Sequence, residues 1–214
     1  DSIYFQERIV TKETNTPWLA YSLSQKPNWV DNPPRPDYTI NTNHPYASEV
    51  WSIQEESDMG SGMAFKNNVL YYTNTKGEIK AVNASDGSEL WSYKTEGKIY
   101  STPYVYNDLV WCASSDTYLY GINKDNGKEI FKLKNNKAVV SSPVCTDDKV
   151  ILSGGDGYCR AWNVFSGEKV WEFDSVKNFV VTRPAVNDGI LFFGSWGNEF
   201  YALNVENGKP KWIW

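Results

Sequence analysis

The run Asn123-Lys124-Asp125-Asn126-Gly127-Lys128-Glu129 sets oxygen-bearing side chains around a glycine, which echoes part of a calcium-binding loop. A hairpin turn fits the same residues, and the rest of the chain decides between the two. Equivalent runs stand at residues 83–89, 163–169 and 204–210, the acidic residues do not persist in them, and no ligand stands at the twelfth position. The turn is the better reading, and no metal is expected. Other chemistry is thinner still. His44 is the one histidine and precedes Pro45, so neither a Ser-His-Asp triad nor a metal–His cluster can be assembled. Glu55-Glu56 and Asp147-Asp148 read as solvated turn charges rather than an acid–base pair. Cys112, Cys145 and Cys159 form no CxxC pair and fall in apolar runs, as buried free thiols do. Asn83-Ala84-Ser85 matches a glycosylation sequon inside a turn. No catalytic residue is assigned. Two surface candidates for binding remain. Arg183 interrupts a Ser/Thr pattern at a channel mouth, and Trp196 is an aromatic in the loop formed by residues 194–198.

A repeat must position these residues. Gly87, Gly127 and Gly167 are spaced by 40, and Gly208 follows after 41. Ala81, Gly121, Ala161 and Ala202 precede them in register, and Trp91, Phe131, Trp171 and Trp212 follow; Trp51 lies one period earlier. A period of this length favours propeller blades. Within each period the pattern reads strand–turn–strand. First strands are expected to start at Gly62, Ser101, Val140 and Val181, and Asx/Gly pairs turn the first hairpin of every unit. No segment sustains a helical period. The expectation is an all-β protein of four-stranded antiparallel blades, about four of them over residues 47–214, with a fragmentary fourth strand at residues 49–53. The Gly would make the turn and the Trp would fill the space between blades. Tyr72, Trp111 and Phe193 are expected to pack between blades from second strands. The segments Ser101-Thr102-Pro103, Ser141-Ser142-Pro143 and Thr182-Arg183-Pro184 would open the channel-lining strands, with a hydroxyl satisfying backbone ahead of proline. Residues 1–46 do not fit the repeat. Their Trp18, Tyr21 and Trp29 make them a lead-in that packs on the propeller or on a neighbouring domain.

The pattern at Ala81, Asn83, Gly87 and Trp91 resembles the tryptophan-docking motif of quinoprotein dehydrogenase propellers. It is also similar to repeats of outer-membrane assembly lipoproteins and of propeller domains fused to other enzymes. Gly121 and Phe131 depart from it. The resemblance implies a ring of seven or eight blades, so that four would be a fragment, completed by further blades of the same or another chain. It also implies a non-catalytic scaffold for protein interaction or ligand binding. The alternatives are an accessory domain of a metallophosphoesterase or kinase and, more remotely, a quinone-dependent dehydrogenase. The dehydrogenases use adjacent cysteines to hold their quinone, and this chain has none, so no cofactor is expected. An extracytoplasmic location fits such repeats. The net charge of −5 argues against nucleic acid as a partner, and no stretch is apolar enough to span a membrane.

Overall fold

A computed structural model describes residues 50–214, and the expected lead-in at 1–46, with His44, lies outside the described residues. Among the described residues sixteen strands form four separate antiparallel sheets, each in simple sequential order. The first is β1 (Ala64–Lys66), β2 (Val69–Thr73), β3 (Glu78–Asn83) and β4 (Glu89–Lys94); the second is β5 (Tyr104–Tyr106), β6 (Leu109–Ala113), β7 (Tyr118–Asn123) and β8 (Glu129–Lys134). The third is β9 (Val144–Thr146), β10 (Lys149–Ser153), β11 (Cys159–Asn163) and β12 (Lys169–Phe173); the fourth is β13 (Ala185–Asn187), β14 (Ile190–Ser195), β15 (Glu199–Asn204) and β16 (Pro210–Ile213). Among the described residues there is no helix, hence none long and apolar enough to cross a membrane.

The first hairpins close as the Asx/Gly pairs require. Asn67, Asn68, Asn107, Asp147, Asp188 and Gly189 all adopt positive φ in two-residue turns. The first strands of successive blades touch one another and form the inner side of the arc. Between blades lie three apolar layers. Tyr71, Ile79, Ala81 and Trp91 of the first blade meet Val110, Cys112, Tyr120 and Ile122 of the second. Trp111 and Leu119 meet Val150, Leu152 and Trp162; Ile151, Ala161 and Trp171 meet Leu191, Phe193, Tyr201 and Leu203. No sheet could bury its faces by itself, so the core exists only through stacking.

Two expectations are corrected. The first strands start at Ala64, Tyr104, Val144 and Ala185, later than the reading predicted, because in the last three a proline immediately precedes the strand and brings no N–H to the ladder. Residues 50–53 form no strand, since no neighbouring ladder pairs with them, yet Trp51 still docks on the first blade. Of the second-strand aromatics, Trp111 and Phe193 pack between blades, from opposite faces of their sheets. Tyr72 and Phe193 share a register position with Cys112 and Leu152, whereas Trp111 matches Tyr71 and Ile151 on the opposite face.

Candidate functional site

The repeat motif acts across blade boundaries. Trp91 belongs to the first blade, but its indole Nε1 donates to the Lys124 carbonyl of the second at 2.8 Å. Trp51 donates likewise to Ala84 at 2.9 Å, and Trp171 to Val205 at 2.7 Å. Each ring lies flat on the turn glycine of the next blade. A Cβ built on Gly127 would stand 2.9 Å from the Trp91 ring, and Gly87, Gly167 and Gly208 meet Trp51, Phe131 and Trp171 in the same way. Ala81, Ala161 and Ala202 sit directly opposite Trp91, Trp171 and Trp212 in the ladder. The ladder slips by one residue just after each of these pairs, a bulge repeated in all four blades. Bulges of this kind re-aim a side chain, here the indole, toward the neighbouring blade.

The second blade departs from this pattern as a unit. Trp111, Gly121 and Phe131 are cross-strand neighbours, and Trp111 stacks on Phe131 at 5.7 Å and 6°. The bulk that other blades carry on the fourth strand is shifted to the second, and Gly121 makes room for it. The exchange has a cost: Phe131 cannot donate a hydrogen bond, and the buried Trp111 Nε1 has no partner among the described residues.

The turn residues that echoed a calcium loop are committed to the turn itself. Asn123 Oδ1 accepts from the backbone N–H groups of Asp125 and Asn126 at 3.0 and 3.1 Å, while Asp125 pairs with Lys124. Asn163 and Asn204 make the same pair of bonds to their own turns. Among the described residues no cluster of three potential metal ligands occurs. The three thiols are buried and free, and burial pushes Cys159 up to about 12 despite a hydrogen bond with Ser153. Separate, buried thiols do not fit the adjacent-cysteine platform of the quinone enzymes.

Glu55 is a correction. Rather than a solvated turn charge, its carboxylate accepts from Tyr72 Oη at 2.6 Å and pairs with Lys80 at 3.1 Å, its side chain 11% exposed. Burial alone would raise its pKa, but the hydrogen bonds from Tyr72 and Lys80 outweigh burial and hold it below 4.5. It borders a cavity of about 150 Å³ between Trp51, Met59 and Met63 on one side and Leu70 and Tyr72 on the other. Glu56 is the exposed member of the pair and holds Lys76. A second buried network went unread in the sequence. Arg160 bonds Asp156 and Glu172, both at 2.7 Å, with Tyr158 stacked on its guanidinium at 4.3 Å.

The Ser/Thr–Pro segments carry two different hydroxyl roles. Ser101 and Ser141 stay within their blade and cap the end of the second strand, at Ala113 and Ser153. Thr102 and Ser142 reach backward: Gly62 N–H donates to Thr102 Oγ1 at 3.1 Å, and Thr102 N–H donates to Ser142 Oγ at 2.8 Å. The next position in that relay is Arg183. Its guanidinium crosses instead to the second blade, where Nη2 donates to the Thr102 and Pro103 carbonyls at 3.1 and 2.9 Å and the Tyr104 ring lies 5.1 Å away.

Trp196 lies at the same end of the blades, because the β14–β15 hairpin and the β12–β13 connector both turn there. Its backbone N–H donates to Phe179 at 3.0 Å, as Thr75 does to Asp58 and Ser115 to Lys98. Its ring stacks on Phe179 at 4.9 Å and 29°, and the two remain 64% and 37% exposed. Asp58, Lys98 and Ala138 hold the place of Phe179 in the other blades; Thr75, Ser115 and Gly155 hold that of Trp196. Phe179 was not legible as a site residue, since only the folded connector lays it against Trp196.

Four-stranded blades locked by an indole on the next blade's glycine define a β-propeller of the tryptophan-docking type. The family model described as outer membrane protein assembly factor BamB matches residues 42–157 and 134–213, and the chain belongs to that family. Among solved structures, BamB from Moraxella catarrhalis is 17% identical with a TM-score of 0.66, over 78% of this chain and 56% of that one. The computationally designed Ika4 protein is 17% identical with a TM-score of 0.68, over 74% of this chain and 99% of that one. Quinohemoprotein alcohol dehydrogenase ADHIIG from Pseudomonas putida HK5 is 13% identical with a TM-score of 0.66, over 76% of this chain and 34% of that one. The chain thus spans about half of the natural BamB structure it matches, and a third of the dehydrogenase. No curated protein matches the sequence.

Proposed function

We propose that this chain is a non-catalytic propeller scaffold that binds a protein partner through the rim of its fourth blade. The observation that carries the reading is the Phe179–Trp196 stack. Two aromatic rings are held against each other and left in solvent where the other blades place Asp, Lys, Ala, Thr, Ser or Gly. Burying neither ring in its own core, the stack adds little to the fold, and rigid aromatic pairs are the usual anchors of protein interfaces. Arg183, from the same connector, extends the rim toward the inner side of the arc. Membership of a family described by outer-membrane protein assembly supports an assembly partner and an extracytoplasmic setting.

Site-specific photocrosslinking in intact cells tests this. A benzophenone side chain placed at Trp196 or Phe179 should give one discrete protein adduct. Phe165, equally exposed at 68% but in a turn at the opposite end of its blade, should give none. The same adducts from position 165, or none from 196 and 179, would refute the rim.

A further inference from the structure

We infer that Arg183 is a carboxylate receptor, so that the segment bound at the rim carries an acidic side chain; this rests on the rim reading above. The argument is one of unmatched charge. The buried and half-buried cations held between strands or blades each have a carboxylate: Lys80 has Glu55, Lys124 has Asp108 and Asp125, Lys149 has Asp148 and Glu206, and Arg160 has Asp156 and Glu172; Arg183 is more exposed than these, yet it too is held across blades, by two hydrogen bonds. Arg183 has none among the described residues. Its protein contacts are two carbonyls and an aromatic face. Partial burial of the guanidinium disfavours its charge, and the groups beside it are Tyr104 and the buried thiols Cys112 and Cys145, none of them a carboxylate.

The side chain is nonetheless held in place. Both Nη2 hydrogens are used on the second blade, which leaves Nε and Nη1 with three N–H groups and no acceptor among the described residues. A guanidinium already fixed loses little entropy when it binds, and its natural complement is an anionic oxygen. Of the anionic classes, a protein carboxylate fits best. A polyanion such as nucleic acid would meet one anchored cation on a chain of net charge −5. A peptide would meet that cation beside an exposed aromatic stack, the pairing of apolar anchor and charge that interfaces use.

A random peptide library displayed on phage, selected on the immobilised 214-residue chain, reads this directly. Wild type should enrich peptides with Asp or Glu near an apolar residue, and Trp196→Ala should abolish that enrichment. Arg183→Gln should weaken the selected peptides about tenfold, the effect of losing one charge-assisted hydrogen bond. Arg183→Lys should retain a weaker acidic preference. Arg183→Glu should select Lys and Arg instead, which a merely loosened connector would not do. Peptides that need Trp196 but show no acidic preference, or that bind Arg183→Glu unchanged, would overturn the receptor and leave the rim standing. Peptides indifferent to Trp196→Ala would refute the rim itself.

Discussion

Trp91 and Gly127 belong to different blades, and the indole of one rests on the backbone of the other at the point where a Cβ would stand 2.9 Å from the ring. The glycine therefore serves two ends: its φ of +70° makes the turn, and its missing side chain makes the seat. Gly189 separates them, because it has φ +71° with nothing within 4 Å. Gly189→Ala should lose about 1 kcal/mol, the cost of positive φ alone. Gly127→Ala should lose about 3 kcal/mol, the excess being the collision with Trp91. Chemical denaturation of the two variants checks it, and equal losses would remove the seat from the account.

The docking rings should rank by what they touch. Trp171 is 7% exposed and donates to Val205, whereas Trp212, in the same register, is 46% exposed and contacts only Phe192 and Phe200 of its own blade among ring partners. Trp171→Ala should cost about 3–5 kcal/mol as a buried large-to-small change. Trp212→Ala should cost about 1 kcal/mol, the worth of an exposed aromatic contact. Thermal unfolding of the two would show the order.

The second blade offers a paired test. Gly121→Ala would place a Cβ 2.9 Å from the Trp111 ring and should cost about 1–3 kcal/mol. The third blade sets Ile151 opposite Ala161 at the same register, so Trp111→Ile should make the alanine tolerable. A double-mutant cycle should return a coupling of about 1 kcal/mol or more. Additive losses would mean that the three residues do not act as a unit.

Glu55 gives the fold a dependence on acid. Its folded pKa lies below the ordinary 4.5, so its ionised form is favoured by folding. The stabilisation is complete above 4.5 and is lost as pH falls through the lower folded value. Glu55→Gln should therefore be less stable than wild type by about 1–2 kcal/mol at pH 7, with the gap closing below pH 4. Denaturant midpoints across pH 3–7 measure it, and a gap that persists at pH 3 would contradict the ion pair.

Much of the fold was legible because each blade repeats one period: four four-stranded sheets follow one another, and Asx or Gly residues turn the first hairpin of each. The legible features are those encoded by residue type, such as the turn glycine and the fourth-strand indole. What escaped depends on placement. A leucine, isoleucine or valine at a bulge looks like any strand residue, yet Leu90, Ile130 and Val170 stand half exposed there because the ladder slips. Glu55 looked like a surface charge because its partners, Tyr72 and Lys80, lie 17 and 25 residues away. Arg183 and Trp196 could be singled out as breaks in a pattern, but Phe179 could not, since connectors vary in every blade. Repetition reveals what is shared, and a site built from exceptions is visible only where the shared rule is strict.

The hydroxyl relay and the indole seats point the same way along the chain, each blade lending its ring or its N–H to the one that follows. The array is therefore polar, with unlike ends. Removing blades from the front uncovers a glycine and a carbonyl within an apolar face such as that of Val110, Cys112 and Ile122. Removing them from the back uncovers such a face with an indole standing on it. Truncation series cut from the two directions should therefore differ in degree: both prone to self-association, and more so when shortened from the back.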